Sequence, residues 1–135
     1  MKTHVFRLKY GDDLKDSIIQ YCQQNGVASG VIITAVGCVY QATLRLADGV
    51  TVKTWEGRYE IVSLTGTISK DGVHLHIALS DEEGKTIGGH LMSGTLINTT
   101  CETVIGDVGD EYEFSREYDG DTGYDELVVN MVKSK

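Results

Sequence analysis

No proline interrupts the 135-residue chain, and after one helical stretch the sequence runs on in short β-type segments. A chain without proline has no Pro-rich linker to divide it and suits one compact, hairpin-connected unit. Residues 4–9 alternate, Val5 and Arg7 against Phe6 and Leu8, and predict a first strand. Gly11-Asp12-Asp13 then opens a helix with either aspartate as N-cap; Leu14, Ile18, Tyr21, Cys22 and Asn25 share one face, and Gly26 stops it. Gly30 to Gly37 is nearly all apolar and predicts a central strand buried on both faces, with a further β segment at Ala42–Leu46. Asp48-Gly49 and Asp71-Gly72 are hairpin-turn dipeptides flanking segments Val50–Trp55 and Tyr59–Ser69. Ile87 to Ile105 is long and β-rich, with a bend or bulge expected at Gly94. Glu111–Tyr118 reads as an edge strand, and Leu127–Val132 as a segment that closes a sheet or frays. The expected class is α+β: a curved antiparallel β-sheet or pair of sheets with one main amphipathic helix near the N-terminus, a single domain over residues 1–135.

Charge is unevenly placed. Between Asp107 and Glu126 nine acidic residues face one basic residue, Arg116, so this segment carries the entire net charge of −8. The domain is expected to include it. Nucleic acid held without sequence preference requires a Lys/Arg surface to displace counterions. No such run exists, and the acidic segment repels phosphate. Scattered Arg45, Lys53, Arg58 and Lys70 form a basic patch only if assembly gathers them. The start lacks the apolar core of a signal peptide and no run is long enough to span a bilayer, so a cytoplasmic protein is expected. Cys22, Cys38 and Cys101 are odd in number and widely spaced, with no CxxC; they read as buried small hydrophobes.

Three of the four histidines carry the most specific chemical signal. In Val73-His74-Leu75-His76-Ile77 the two histidines are two apart on a predicted strand and share a face. If Asp81–Lys85 is a five-residue hairpin loop, Ser80 pairs with Thr86 and His76 lies opposite His90, with His74 the diagonal neighbour at roughly 7–8 Å. A four-residue loop instead sets Gly89 opposite His76. Three neutral imidazoles with a free fourth position make a zinc-type site; the alternative is strand histidines hydrogen-bonded to backbone or carboxylates.

Other positions are weaker. Arg58 and Glu60 share a strand face and fit an ion pair, a carboxylate orienting a histidine, or partner docking. Gly88-Gly89 allows close backbone approach or a bulge beside His90, and without a following helix it is no phosphate cradle. Asp119 to Asp125 has carboxylates at calcium-loop spacing but places Gly123 at a ligand position, so a solvated acidic loop is expected.

Four segments go beyond generic β pattern: Gly57-Arg58-Tyr59-Glu60-Ile61-Val62-Ser63-Leu64-Thr65-Gly66, His74-Leu75-His76-Ile77-Ala78-Leu79-Ser80-Asp81, Gly88-Gly89-His90-Leu91 and Thr100–Ile105. Together, in this order, they resemble the PPC (plants and prokaryotes conserved) domain, with Tyr59 in place of the Phe usual in plant members. The resemblance implies an antiparallel β fold with one main helix, homotrimeric assembly, and histidines at positions 74, 76 and 90. Plant members follow a basic AT-hook that reads the minor groove, and their domain recruits partners. This chain has no Arg-Gly-Arg-Pro tract, so a DNA role rests on fold analogy alone.

Three functions therefore compete. The first is an oligomeric, trimeric binding module with a zinc or similar divalent ion on His74, His76 and His90, engaging a small ligand or a protein, with Arg58, Glu60, Gly88 and Gly89 as docking residues. The second is a DNA-associated regulator, disfavoured by charge. The third is a metal-dependent enzyme with Glu60 as base, held below the binding module because no nucleophile–base signature and no substrate emerge.

Overall fold

The computed structural model describes residues 1–133. Strand β1 (Lys2–Lys9) leads into helix α1 (Leu14–Gln24), after which come β2 (Ser29–Arg45), β3 (Val52–Ser69), β4 (Gly72–Ser80), β5 (Thr86–Leu91), β6 (Leu96–Asp107), β7 (Tyr112–Asp119) and β8 (Tyr124–Met131). The first six strands form one antiparallel sheet in the order β1-β6-β2-β3-β4-β5, while β7 and β8 make a separate two-stranded sheet. The α+β expectation of curved antiparallel sheets with one N-terminal helix is what the chain adopts.

The sheet curls because β2 is long enough to serve two neighbours on one edge. Its residues Gly30–Gln41 pair with β6, and its last two, Leu44 and Arg45, pair with Leu91 and His90 of β5. Since β3 and β4 connect β2 to β5 from the other side, β2-β3-β4-β5 returns on itself. The enclosed core contains Val39, Leu44, Leu64, Leu75, Leu79, Leu91 and Ile97, and each is almost wholly buried.

Helix α1 plugs this core. Asp13 is the N-cap, its side chain accepting the Asp16 N–H at 3.0 Å, and Asn25 caps the other end before Gly26. Leu14, Ile18 and Cys22 recur at helical spacing and are buried. Tyr21, expected on the same face, is only half-buried and stacks on Phe6 of β1 at 4.0 Å.

Two expectations are corrected. Segments 30–37 and 42–45 belong to one continuous strand, as do 52–55 and 59–69, because Gly37 (φ 157°) and register shifts at Val39/Gln41 bend the ladder without ending it. Strand β2 is central, yet it is not buried on both faces: Ile33 and Val36 are exposed, as are Val5 on β1 and Val62 on β3. Of the two readings for segment 127–132, closing a sheet holds: Leu127–Met131 pairs with β7 in the two-stranded sheet. That hairpin is fastened to the main sheet by Phe114 N–H to Ser29 Oγ (2.9 Å) and Arg116 N–H to Asp71 Oδ2 (3.0 Å).

Candidate metal centre

The loop between β4 and β5 fixes the histidine geometry. Asp81 accepts the N–H groups of Glu83 and Lys85, Gly84 N–H reaches Asp81 O, and Asp81 N–H reaches Lys85 O. These bonds make Asp81–Lys85 a five-residue loop, so Ser80 pairs with Thr86 and His76 stands opposite His90. The ladder from Ser80/Thr86 to His76/His90 runs without a shift, so Gly88 and Gly89 form no bulge. They serve close approach instead: a Cβ on Gly88 meets Ile77 O at 2.8 Å, and one on Gly89 meets Arg45 O at 2.7 Å. Gly89 thereby lets β5 close on β2, which holds His90 in place.

One ring nitrogen from each of His74, His76 and His90 lies within 4.8 Å of the others. His74 Nε2 and His76 Nε2 are 3.2 Å apart. Two imidazoles on a tetrahedral ion with metal–nitrogen bonds of about 2.0–2.1 Å have their nitrogens about 3.3 Å apart, so this pair already has ligand spacing. The third nitrogen closes in by a side-chain rotation of at most about 1.5 Å. The donor chemistry fits as well. Burial, with the Arg45 guanidinium next and the other two imidazoles after it, pushes His90 down to about 4. Burial first, then His76 and Arg116, also lowers His74. Both therefore keep a lone pair for an ion at neutral pH. His90 Nδ1 is buried and finds no hydrogen-bond partner among the described residues. The trio is thus a group able to hold a metal ion.

The histidines open onto a cleft of about 1010 Å³ whose other wall is the β7–β8 hairpin. Arg45, Gly88, Gly89, Arg116, Tyr124 and Glu126 are among its lining residues. Of these Arg45, Arg116, Tyr124 and Glu126 escaped the sequence reading as site residues. Arg45 was noted only as a scattered cation, and nothing local signals that it pairs across to His90.

Arg58 and Glu60 lie elsewhere. Arg58 makes an exposed ion pair with Glu82 at 3.5 Å, and Glu60 pairs with Ser80. Ser80 is four residues from His76, about 13 Å along the strand, and neither residue lines the cleft. The Asp119–Asp125 segment is a turn in which Asp119 accepts backbone N–H groups of Asp121 and Gly123. The cysteines are free; Cys22 and Cys101 are buried and their thiols raised by burial, while Cys38 is half-buried. No described helix is long and apolar enough to cross a membrane.

The profile of the Plants and Prokaryotes Conserved domain (PCC, also written PPC) matches residues 1–109. The chain belongs to the PPC domain family. Among its relatives is the bifunctional protein GlmU of Synechococcus sp. (strain JA-3-3Ab), 44% identical over 132 residues, 98% of this chain but 21% of that protein. AT-hook motif nuclear-localized protein 2 of Arabidopsis thaliana is 32% identical over 113 residues, covering 76% of this chain and 33% of that one. The PPC chain thus spans a fifth to a third of these relatives. Among solved structures, a hypothetical protein from Salmonella superposes with a TM-score of 0.92 at 34% identity, over 96% of this chain and 94% of the other. A protein of Archaeoglobus fulgidus described as metal-containing superposes with a TM-score of 0.74 at 26% identity, over 95% and 94%.

Proposed function

We propose that this PPC domain is an oligomeric metal-binding module, in which His74, His76 and His90 hold one zinc-type divalent ion and leave its fourth position to a small ligand or a partner protein. The observation that carries the reading is the 3.2 Å approach of His74 Nε2 to His76 Nε2 with His90 across the ladder. Neutral imidazoles suit zinc over calcium or magnesium, which prefer oxygen ligands. The Archaeoglobus relative described as metal-containing supports it. Gly88 and Gly89 form the wall beside His90, whereas Arg58 and Glu60 belong to an outer surface suited to protein docking. Homotrimeric assembly, implied by the family, accounts for exposed Val5, Ile33, Val36 and Val62, since apolar side chains on a sheet face mark a covered surface.

Elemental analysis after dialysis against micromolar zinc tests the metal: one ion per chain is expected, falling to near zero in His76→Ala and His90→Ala. Unchanged stoichiometry in both variants removes the reading. Sedimentation tests assembly, with three chains of 14.8 kDa expected together.

A second reading, a DNA-associated regulator, draws on the Arabidopsis AT-hook relative. The net charge of −8 opposes it. It requires DNA binding that weakens steeply with salt; undetectable binding at about 50 mM salt dismisses it.

A further inference from the structure

Two guanidinium groups share the cleft with the three imidazoles and lack acidic partners. Arg45 is directly opposite His90 on the β2–β5 ladder, so its Cα is within about 5.5 Å of the His90 Cα and its side chain leaves the same face. Its Nε is buried and has no hydrogen-bond partner among the described residues. A buried guanidinium N–H without an acceptor is costly, because folding has removed its water without replacing it. The group faces the Tyr124 ring, 5.7 Å from Cζ to centroid, which steers it without accepting its N–H in the plane. Arg116, from the opposite wall, donates through Nη2 to Thr67 Oγ1 at 3.0 Å and through Nη1 to Asp125 O at 3.5 Å. Ion pairs among the described residues are His4–Asp107 and Arg58–Glu82, so neither cleft arginine has a carboxylate within 4.0 Å. In a chain of net charge −8, leaving two cations unpaired beside a histidine trio is a specific arrangement.

We infer that the open position of the histidine-bound ion takes a small oxyanion, a carboxylate or a phosphate, with Arg45 as the second anchor and Arg116 closing the far side. This deepens the metal-site reading and rests on it. One oxygen of the ligand meets the ion while a second accepts the Arg45 N–H, the two-point recognition for which a guanidinium fork is shaped. The acidic side chains lining the cleft, Asp71, Asp125 and Glu126, limit the charge that fits. Asp71 is already engaged by the Arg116 backbone N–H; Asp125 and Glu126 repel a polyanion and leave room for a small singly or doubly charged one.

Cobalt(II) in place of zinc makes the coordination sphere visible by its absorption bands. The full chain, loaded with cobalt(II) at pH 7, is titrated with sodium acetate and, separately, with inorganic phosphate in chloride-free buffer. A saturable band change with at least one anion is expected, and the tighter of the two names the class. Arg45→Gln is expected to raise the midpoint at least tenfold with cobalt affinity retained, Arg45→Lys to recover part of it, and Lys9→Gln on β1 to match the wild type. Should Arg45→Gln fail to fold, Arg116→Gln is expected to shift the midpoint in the same direction. Cobalt bands that neither anion moves, or that move identically in the arginine variants, overturn the oxyanion site and leave the metal site standing. Absence of cobalt bands in the wild type overturns both.

Discussion

Asp13 and Gly94, 81 residues apart, are joined by a 2.7 Å hydrogen bond in which the Gly94 N–H donates to Asp13 Oδ2. The other carboxylate oxygen, Oδ1, caps α1 through the Asp16 N–H. One side chain thus starts the helix and pins the turn that follows β5, and two further bonds tie the same places: Leu14 N–H to Thr95 O and Ser93 Oγ–H to Asp16 Oδ1. The helix N-terminus is therefore a fixed stop for the segment that carries His90.

Asp13→Ala loses both roles. Losing a cap costs about 1 kcal/mol and leaving the half-buried Gly94 N–H unpaired costs a further 1 kcal/mol or more. A loss of about 2 kcal/mol in urea unfolding is expected, with Asp13→Asn losing about half of that or more, because its amide offers one acceptor oxygen and turns an NH2 donor toward the other N–H. Wild-type stability in Asp13→Asn would mean that a single acceptor is enough to secure this joint.

Gly89→Ala tests the closure of the sheet on itself. The added Cβ sits 2.7 Å from Arg45 O and 3.3 Å from Leu44 Cβ, and the near obstacle is backbone. Strands β2 and β5 must part, at an expected cost of about 1–3 kcal/mol. Because His90 travels with β5, zinc affinity is expected to fall at least tenfold, measured by competition with a chromophoric chelator. Wild-type affinity in a destabilised Gly89→Ala would show that the ion does not depend on this closure.

The helix, the hairpin turns and the shared face of His74 and His76 were legible because each is encoded locally, and the His76–His90 register was narrowed to a choice between a five- and a four-residue loop. Asp13 caps within one turn of its own position, side-chain period two sets His74 beside His76, and a loop with Asp81 and Gly84 has few ways to close. What escaped depends on pairing between distant segments. Nothing near Arg45 says that its strand continues past β6 to meet His90, and nothing in the acidic run 107–126 says that it folds back to wall the cleft. The apolar run Gly30–Gly37 was misread for a related reason: hydrophobicity marks a face as one that seeks cover, and within one chain Ile33 and Val36 remain uncovered. Gly37 looked like punctuation, whereas its φ of 157° bends a strand that continues.

The histidines make the metal-free protein sensitive to acid. His90 is lowered to about 4 in the fold against 6.5 when unperturbed, and His74 is lowered as well. Between those values the unfolded chain binds more protons than the folded one, so stability rises with pH. The contribution is complete above about pH 6.5 and is lost as pH falls toward 4. In chelator-treated protein the urea midpoint is expected to drop across this window, and His90→Gln to flatten the slope. A midpoint that rises on acidification would contradict the burial of this imidazole.

Zinc should reverse that sensitivity, because an ion that binds the folded chain alone shifts the equilibrium by mass action. At free zinc a hundred times the dissociation constant the gain is about 2.7 kcal/mol. For a chain of this length that corresponds to a rise in melting temperature of about 8–10 °C. His76 is exposed, so His76→Ala is expected to melt like the zinc-free wild type and gain nothing from zinc. His4 separates a specific effect from a general one. It belongs to a different cluster, with Nδ1 3.0 Å from Tyr21 Oη and Nε2 4.0 Å from Asp107 Oδ2, and His4→Ala should keep the full zinc-dependent rise from a lower starting point. A zinc response abolished equally by His4→Ala and His76→Ala would place the ion away from the β4–β5 ladder.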